Sequence, residues 1–212
     1  SSVKDWIIGQ DKLRSEFSMS GVPMRIFFRI ADCAALHTDW EVRHILDLPW
    51  EENGYDNDML HPRFVAVLLQ LGDALDIDND RFHPFAHAFA GSFPQQSEAH
   101  YNKHLAIRTL KITPEEIEIE ADCETRETMR LVRNECDGIE TLLKSASYYW
   151  SRIAPKGFGG ALPSFKLSRL LLKGKEIPWD LALSRFQISQ QKAFSFLQGE
   201  NIYFGHFPFV RE

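Results

Sequence analysis

In the run Val65 to Arg81, VAVLLQLGDALDIDNDR, the apolar residues Val67, Leu68, Leu71 and Leu75 recur at i, i+1, i+4 and i+8. That spacing marks one face of an α-helix. Asp73 interrupts the apolar run, and Asp76 follows one turn on. A carboxylate facing a helical core is costly unless a metal, a cation or a hydrogen-bond network compensates it. Two readings of Asp73 stand open: a metal ligand, or a structural ion pair with an arginine such as Arg63 or Arg81. Asp76, Asp78 and Asp80 are spaced like the start of a calcium loop. No glycine follows at the sixth position and no glutamate at the twelfth, which excludes that loop.

A second cluster is SEAHYNKH, residues 97–104. His100, Lys103 and His104 lie at i, i+3 and i+4, share a helix face and are placed to meet a phosphate together. Lysine supplies charge, histidine a donor or a proton, and Tyr101 a ring to stack on a base. The alternative is a solvated helix end. His37, in IADCAALHTDW, is a second candidate metal ligand, with Asp39 two residues on to orient its ring. It reads equally as a core histidine, and Asp39 as the first polar residue after a helix end.

The elements that must carry these residues are mostly helical. Helices are expected over 2–17, 24–37, 40–46 and 61–75, with Gly21–Val22–Pro23 as a break and the acidic stretch 49–58 as a loop turning at Asn53–Gly54. Residues 82–99, with Phe82, Phe85 and Phe89, read as an irregular loop. Alternation over 106–112 and 117–121, about a turn with Pro114, predicts a β-hairpin. A long helix follows over 125–150, ended by Pro155 and the GFGG run, which reads as a hinge because it lacks the lysine and hydroxyl of a phosphate-binding loop. Beyond it, one or two strands and a helix over 189–197 suggest a small subdomain. The expected fold class is therefore mainly α, a helical domain over 1–154 with a hairpin at 104–121, then a small α+β subdomain over 155–212.

Composition sets the frame. The 212 residues are 44% hydrophobic and 25% charged, an ordinary globular mixture, long enough for one sizeable domain or one and a half small ones. A net charge of -6 disfavours broad nucleic-acid binding. Three cysteines without CxxC spacing argue against a zinc finger and a disulfide framework. No apolar run approaches a membrane span and no signal peptide opens the chain, so the expected location is cytoplasmic, with no membrane partner.

The segments LLQLGDALDIDNDR, SEAHYNKHLAI and IEIEA together resemble the C-terminal half of HD-superfamily domains, of the type fused to an Hsp90-like (GHKL) ATPase. The resemblance runs through Asp73, Arg81, Ser97, His100, Tyr101, Lys103 and His104. It implies an HD-like helical domain and a metal-dependent phosphohydrolase acting on nucleotides or phosphate esters. Asp73 and His37 would be ligands of a divalent metal ion, Lys103 and His104 catalytic, and Arg81, His100, Tyr101 and Lys103 in contact with substrate. Such domains also carry a His-Asp pair, and none of the eight histidines here precedes an aspartate. Either the remaining ligands lie outside this chain, or the domain is a catalytically silent scaffold or regulator. The string 188–212, ending in Arg211 and Glu212, resembles the approach to the first helix of such an ATPase. Mg-ATP is accordingly expected only in a neighbouring domain, in the same polypeptide, and a homo-oligomer is a further expectation.

Overall fold

The computed structural model describes residues 3–37, 39–77 and 95–176, all of which fall in one unit, Ser1–Glu176. Arg81, the aromatic stretch 82–94 and the expected helix 189–197 lie outside the described residues.

The N-terminal stretch forms two helices rather than one, α1 (Val3–Ile8) and α2 (Asp11–Met19). They part at Gly9 and at Gln10, whose φ of -81° and ψ of 93° are extended. The apolar helix α3 (Met24–Leu36) starts behind Pro23 and buries Phe27, Ala31 and Cys33. A single turn, α4 (Val42–Ile45), buries both its end residues. The acidic stretch holds a two-residue ladder, β1 (Glu52–Asn53) with β2 (Met59–Leu60). Asp56 and Asn57 take positive φ in its turn, which their short polar side chains tolerate.

Helix α5 (Pro62–Ala74) opens with proline at its first position, where no N–H is needed. It buries Ala66, Val67, Gln70, Leu71 and Ala74. The buried stripe is thus rotated from the expected one. Leu68 is 47% exposed, and Asp73 is exposed rather than core-facing. Alanines at 66 and 74 allow close approach to the neighbouring helices, whereas a reading by hydrophobicity favours the leucines.

Helix α6 (Gln95–Ala106) begins inside the expected loop, since QQSEAHYNKHLA contains no glycine or proline to stop it. It leads into β3 (Ile107–Ile112) and β4 (Glu116–Cys123), the expected hairpin. On β4, buried Ile117, Ile119, Ala121 and Cys123 alternate with half-buried Glu116, Glu118, Glu120 and Asp122, the period of a strand covered on one face. Helix α7 (Arg126–Ile153) is capped by Thr125, whose side chain accepts the Thr128 N–H at 3.1 Å. Its apolar stripe, Met129, Val132, Cys136, Ile139, Leu142, Leu143 and Ala146, is the centre of the core. A Cβ on Gly138 would stand 2.9 Å from Trp40 Cζ3, so glycine lets that ring lie against α7.

Strand β5 (Ser164–Leu172) then pairs parallel to β4, with Ile117 opposite Phe165 and Cys123 opposite Leu172. Helix α7 is therefore the crossover of a βαβ unit. A tight turn at Lys173 and Gly174, both at positive φ, brings back β6 (Lys175–Glu176) and completes a sheet of order β3-β4-β5-β6.

The architecture is mainly α with small β elements. The sheet, however, runs across the expected division at 155. Its connecting loop is also fastened. Trp50 Nε1 donates to Ala154 O at 3.0 Å, Trp150 Nε1 donates to Gly160 O at 2.7 Å, and Phe158 packs 5.1 Å from Phe64. Among the described residues, no helix is long and apolar enough to cross a membrane.

Candidate functional site

Helix α6 places His100, Lys103 and His104 on one side, as their spacing requires, and the helix packs on α7. Lys103 is 7% exposed and His104 1%. The Lys103 ammonium donates to Glu135 Oε2 of α7 at 2.7 Å. Ile77, Ile107, Val132 and Cys136 surround the pair. The lysine expected to meet a phosphate therefore already has a carboxylate partner within the protein, and neither Lys103 nor His104 lies on the solvated helix end that was the alternative. His100 is exposed and stacks on His104 with ring centroids 5.2 Å apart and planes 24° from parallel. Tyr101 is half-buried beside them.

The apolar wall shows in the thiols. Burial pushes Cys136 up to about 12, with Arg133 opposing and the acids Asp137 and Glu135 adding to the rise. Cys33 and Cys123 are each pushed up to about 11, again chiefly by burial. All three are free and buried, so none is a ready nucleophile.

His37 follows the end of α3 and is half-buried. Its Nδ1 is hydrogen-bonded to the Ala34 carbonyl. A carbonyl only accepts, so Nδ1 carries a proton and neutral His37 keeps its lone pair on Nε2. Asp39 does not orient this ring. It accepts instead from His44 Nδ1 at 2.5 Å and from the Glu41 N–H at 3.0 Å. Those two bonds, the histidine first, hold its carboxyl below the ordinary range.

The residue that fixes this corner is Gln70, 3% exposed on α5. Its Nε2 donates to Leu36 O at 2.9 Å and also to Asp39 O. It thereby ties the turn after α3, which contains His37, to α5. Gln70 and Glu135 were legible in principle. Gln70 sits four residues from both Ala66 and Ala74 on the buried stripe, and Glu135 adjoins Cys136 on the apolar side of α7.

Asp73 stands away from these residues' buried face and has no ion-pair partner among the described residues. The expected pair with Arg63 is not formed. Arg63 donates to two carbonyls, Leu48 O at 2.7 Å and Arg152 O at 3.1 Å. Burial first, and then the neighbouring Arg152, lowers its pKa. Among the described residues no three of His, Cys, Asp and Glu come together in a group that holds a metal ion. His37 Nε2 and the Asp73 carboxylate are suitable donor types, but two donors do not make a divalent centre, and the described residues do not fit one by themselves.

No curated protein matches the chain, and no solved structure does. A family model described as HD-CE matches residues 20–145, from the turn before α3 through most of α7. That span covers more than half of the chain and contains the α3–α4 corner, α5, α6 and the Lys103–Glu135 pair, so the helical body is an HD-like domain and the chain belongs to the HD-CE family.

Proposed function

We propose that this chain is a scaffold or regulatory module, an HD-like domain that serves an Hsp90-like ATPase in the same polypeptide and does not itself hydrolyse phosphate esters. One observation carries the reading. Lys103, the one lysine of the SEAHYNKH cluster, is 7% exposed and bonded to Glu135 at 2.7 Å, and His104 lies in the core beside it. Lys103, which would meet a phosphate in a working site, here joins α6 to α7 through Glu135. A rigid junction of this kind suits a domain whose output is its own shape, passed on to a neighbour that binds Mg-ATP.

A second reading, a metal-dependent phosphohydrolase acting on nucleotides or phosphate esters, keeps one supporting observation. Asp73 is exposed, and His37 presents an unprotonated Nε2 when neutral. A divalent metal would then need ligands beyond these two.

Elemental mass spectrometry of the purified protein, with hydrolysis of nucleotides and a phosphodiester under a panel of divalent metals, separates the readings. The scaffold predicts no metal that depends on Asp73 and no turnover. Stoichiometric metal and turnover, both lost in Asp73→Ala, would overturn it. In the ATPase-bearing polypeptide, the scaffold expects ATP turnover to change when the α6–α7 junction is loosened by Lys103→Met.

A further inference from the structure

Between Glu140 and Glu176 the chain carries seven lysines and arginines and no acid, in a protein whose net charge is -6. On the earlier turns of α7 the cations are matched. Arg130, Arg133 and Lys144 each meet an acid of the same helix at 2.7 or 2.8 Å. At the end of the helix they are not: exposed Arg152 and Lys156 pair with no carboxylate among the described residues. Each rests on a ring instead, the Arg152 guanidinium carbon 5.9 Å from the centre of Tyr149 and the Lys156 ammonium 5.0 Å from that of Trp50. A ring face attracts a cation but leaves its charge uncancelled.

Arg63 adds a third cation from the first turn of α5. Its Nη1 donates to Arg152 O, and Trp50 Nε1 donates to Ala154 O two residues on, so both side chains grip the end of α7. After burial, the nearby Arg152 guanidinium lowers the Arg63 pKa, and Asp47 opposes this only in part. The carbonyls account for the position of Arg63, and the α7 dipole for one cation near its end. Neither calls for three cations without a paired acid. Tyr148, one turn before Arg152, is 80% exposed and stands edge-on to Tyr149 with ring centroids 4.8 Å apart. A ring so far into water adds little to the core.

Uncancelled positive charges beside an open ring match a polyanion whose units are themselves flat. An acidic peptide would use the charges and leave the ring idle. A duplex would offer phosphates but keep its base faces inside the stack. We infer that the end of α7, with Trp50, Arg63 and Lys156 around it, binds single-stranded nucleic acid, the phosphates meeting Arg63, Arg152 and Lys156 and a base stacking on Tyr148. The acidic balance of the remaining surface confines the strand to this patch and keeps the footprint to a few nucleotides.

Fluorescence anisotropy of labelled oligo(dT) and oligo(U) of about ten nucleotides, titrated with the 212-residue protein, tests this. Three phosphate contacts on a single strand predict an affinity that falls roughly twentyfold between about 50 and about 200 mM salt. Tyr148→Ala should weaken binding about tenfold and leave the salt slope unchanged. Lys156→Glu should weaken it and flatten the slope. Lys12→Glu, the same change of net charge at an exposed lysine of α2, should bind as the wild type does, and circular dichroism should show all three variants folded. No saturable binding at the lower salt overturns the inference. So does a duplex or a polyglutamate peptide bound as tightly as the single strand, which would make this a surface for charge alone. Equal loss in Lys12→Glu overturns it too, because overall charge rather than the patch then governs binding.

Discussion

A lysine with only 9% of its side chain exposed needs a fixed negative charge, and Glu135, with 27% of its side chain exposed, supplies one at 2.7 Å. Removing one partner strands the other. Because Glu135 retains some solvent, the cost is expected to fall between that of a surface pair and that of a fully buried one. Lys103→Met should lower the unfolding free energy by about 2 kcal/mol in urea titrations. Lys103→Met with Glu135→Leu should recover most of it, since an apolar pair of similar volume suits the surrounding Ile107, Val132 and Cys136. The thiols give a pH signature. In the unfolded chain they ionise near about 8.5, whereas in the fold burial raises them to about 11 and about 12. The folded state therefore holds protons that the unfolded state releases. The thiols' contribution to stability should be level below about pH 8.5 and fall as pH rises from there through the folded values, measurable as a urea midpoint that declines in the alkaline range. At this scale the sequence is a partial guide. Spacing alone puts His100, Lys103 and His104 on one side of a helix, but which side meets α7 depends on residues 32 positions away in the chain, Glu135 among them. For Asp73 the local apolar run misleads, because Ala66 and Ala74 turn inward and Leu68 turns out.

Among the elements, α7 organises the rest, and its start depends on a single side chain. Thr125→Ala removes the cap on the Thr128 N–H and should cost about 1 kcal/mol, visible as a lower urea midpoint without loss of helix content. The periodicity of α7 and the alternation in the hairpin were readable because both are local. The parallel pairing of β4 with β5 was not, since its partners are separated by the whole of α7 and its register appears only in the folded sheet. GFGG likewise resembles a linker by composition, although indole donors and Phe64 fasten the loop around it. A fragment ending at residue 154 would leave the β4 edge bare, with Ile117, Ile119 and Ala121 next to it. It should aggregate on expression while a fragment ending at 176 remains dispersed, as size-exclusion profiles of the two would reveal.

For the molecule as a whole, the HD-CE match over 20–145 and the helical body agree on the class of domain. The segments LLQLGDALD and SEAHYNKH already pointed there through their resemblance to HD-superfamily domains. What their polar residues do depends on packing, and the packing turns Lys103, His104 and Gln70 inward to join helices. The central claim is that the charge of Lys103 serves the fold rather than a phosphate. It is tested most directly in the paired variant Lys103→Met with Glu135→Leu, which keeps the junction and removes the charge. Hydrolysis and binding of nucleotides and phosphate esters would be measured beside the wild type, with urea titrations confirming recovered stability. The expected result is a stable protein whose behaviour toward these ligands matches the wild type. A stable variant that has lost hydrolysis or binding present in the wild type would contradict the account and return Lys103 to a phosphate site.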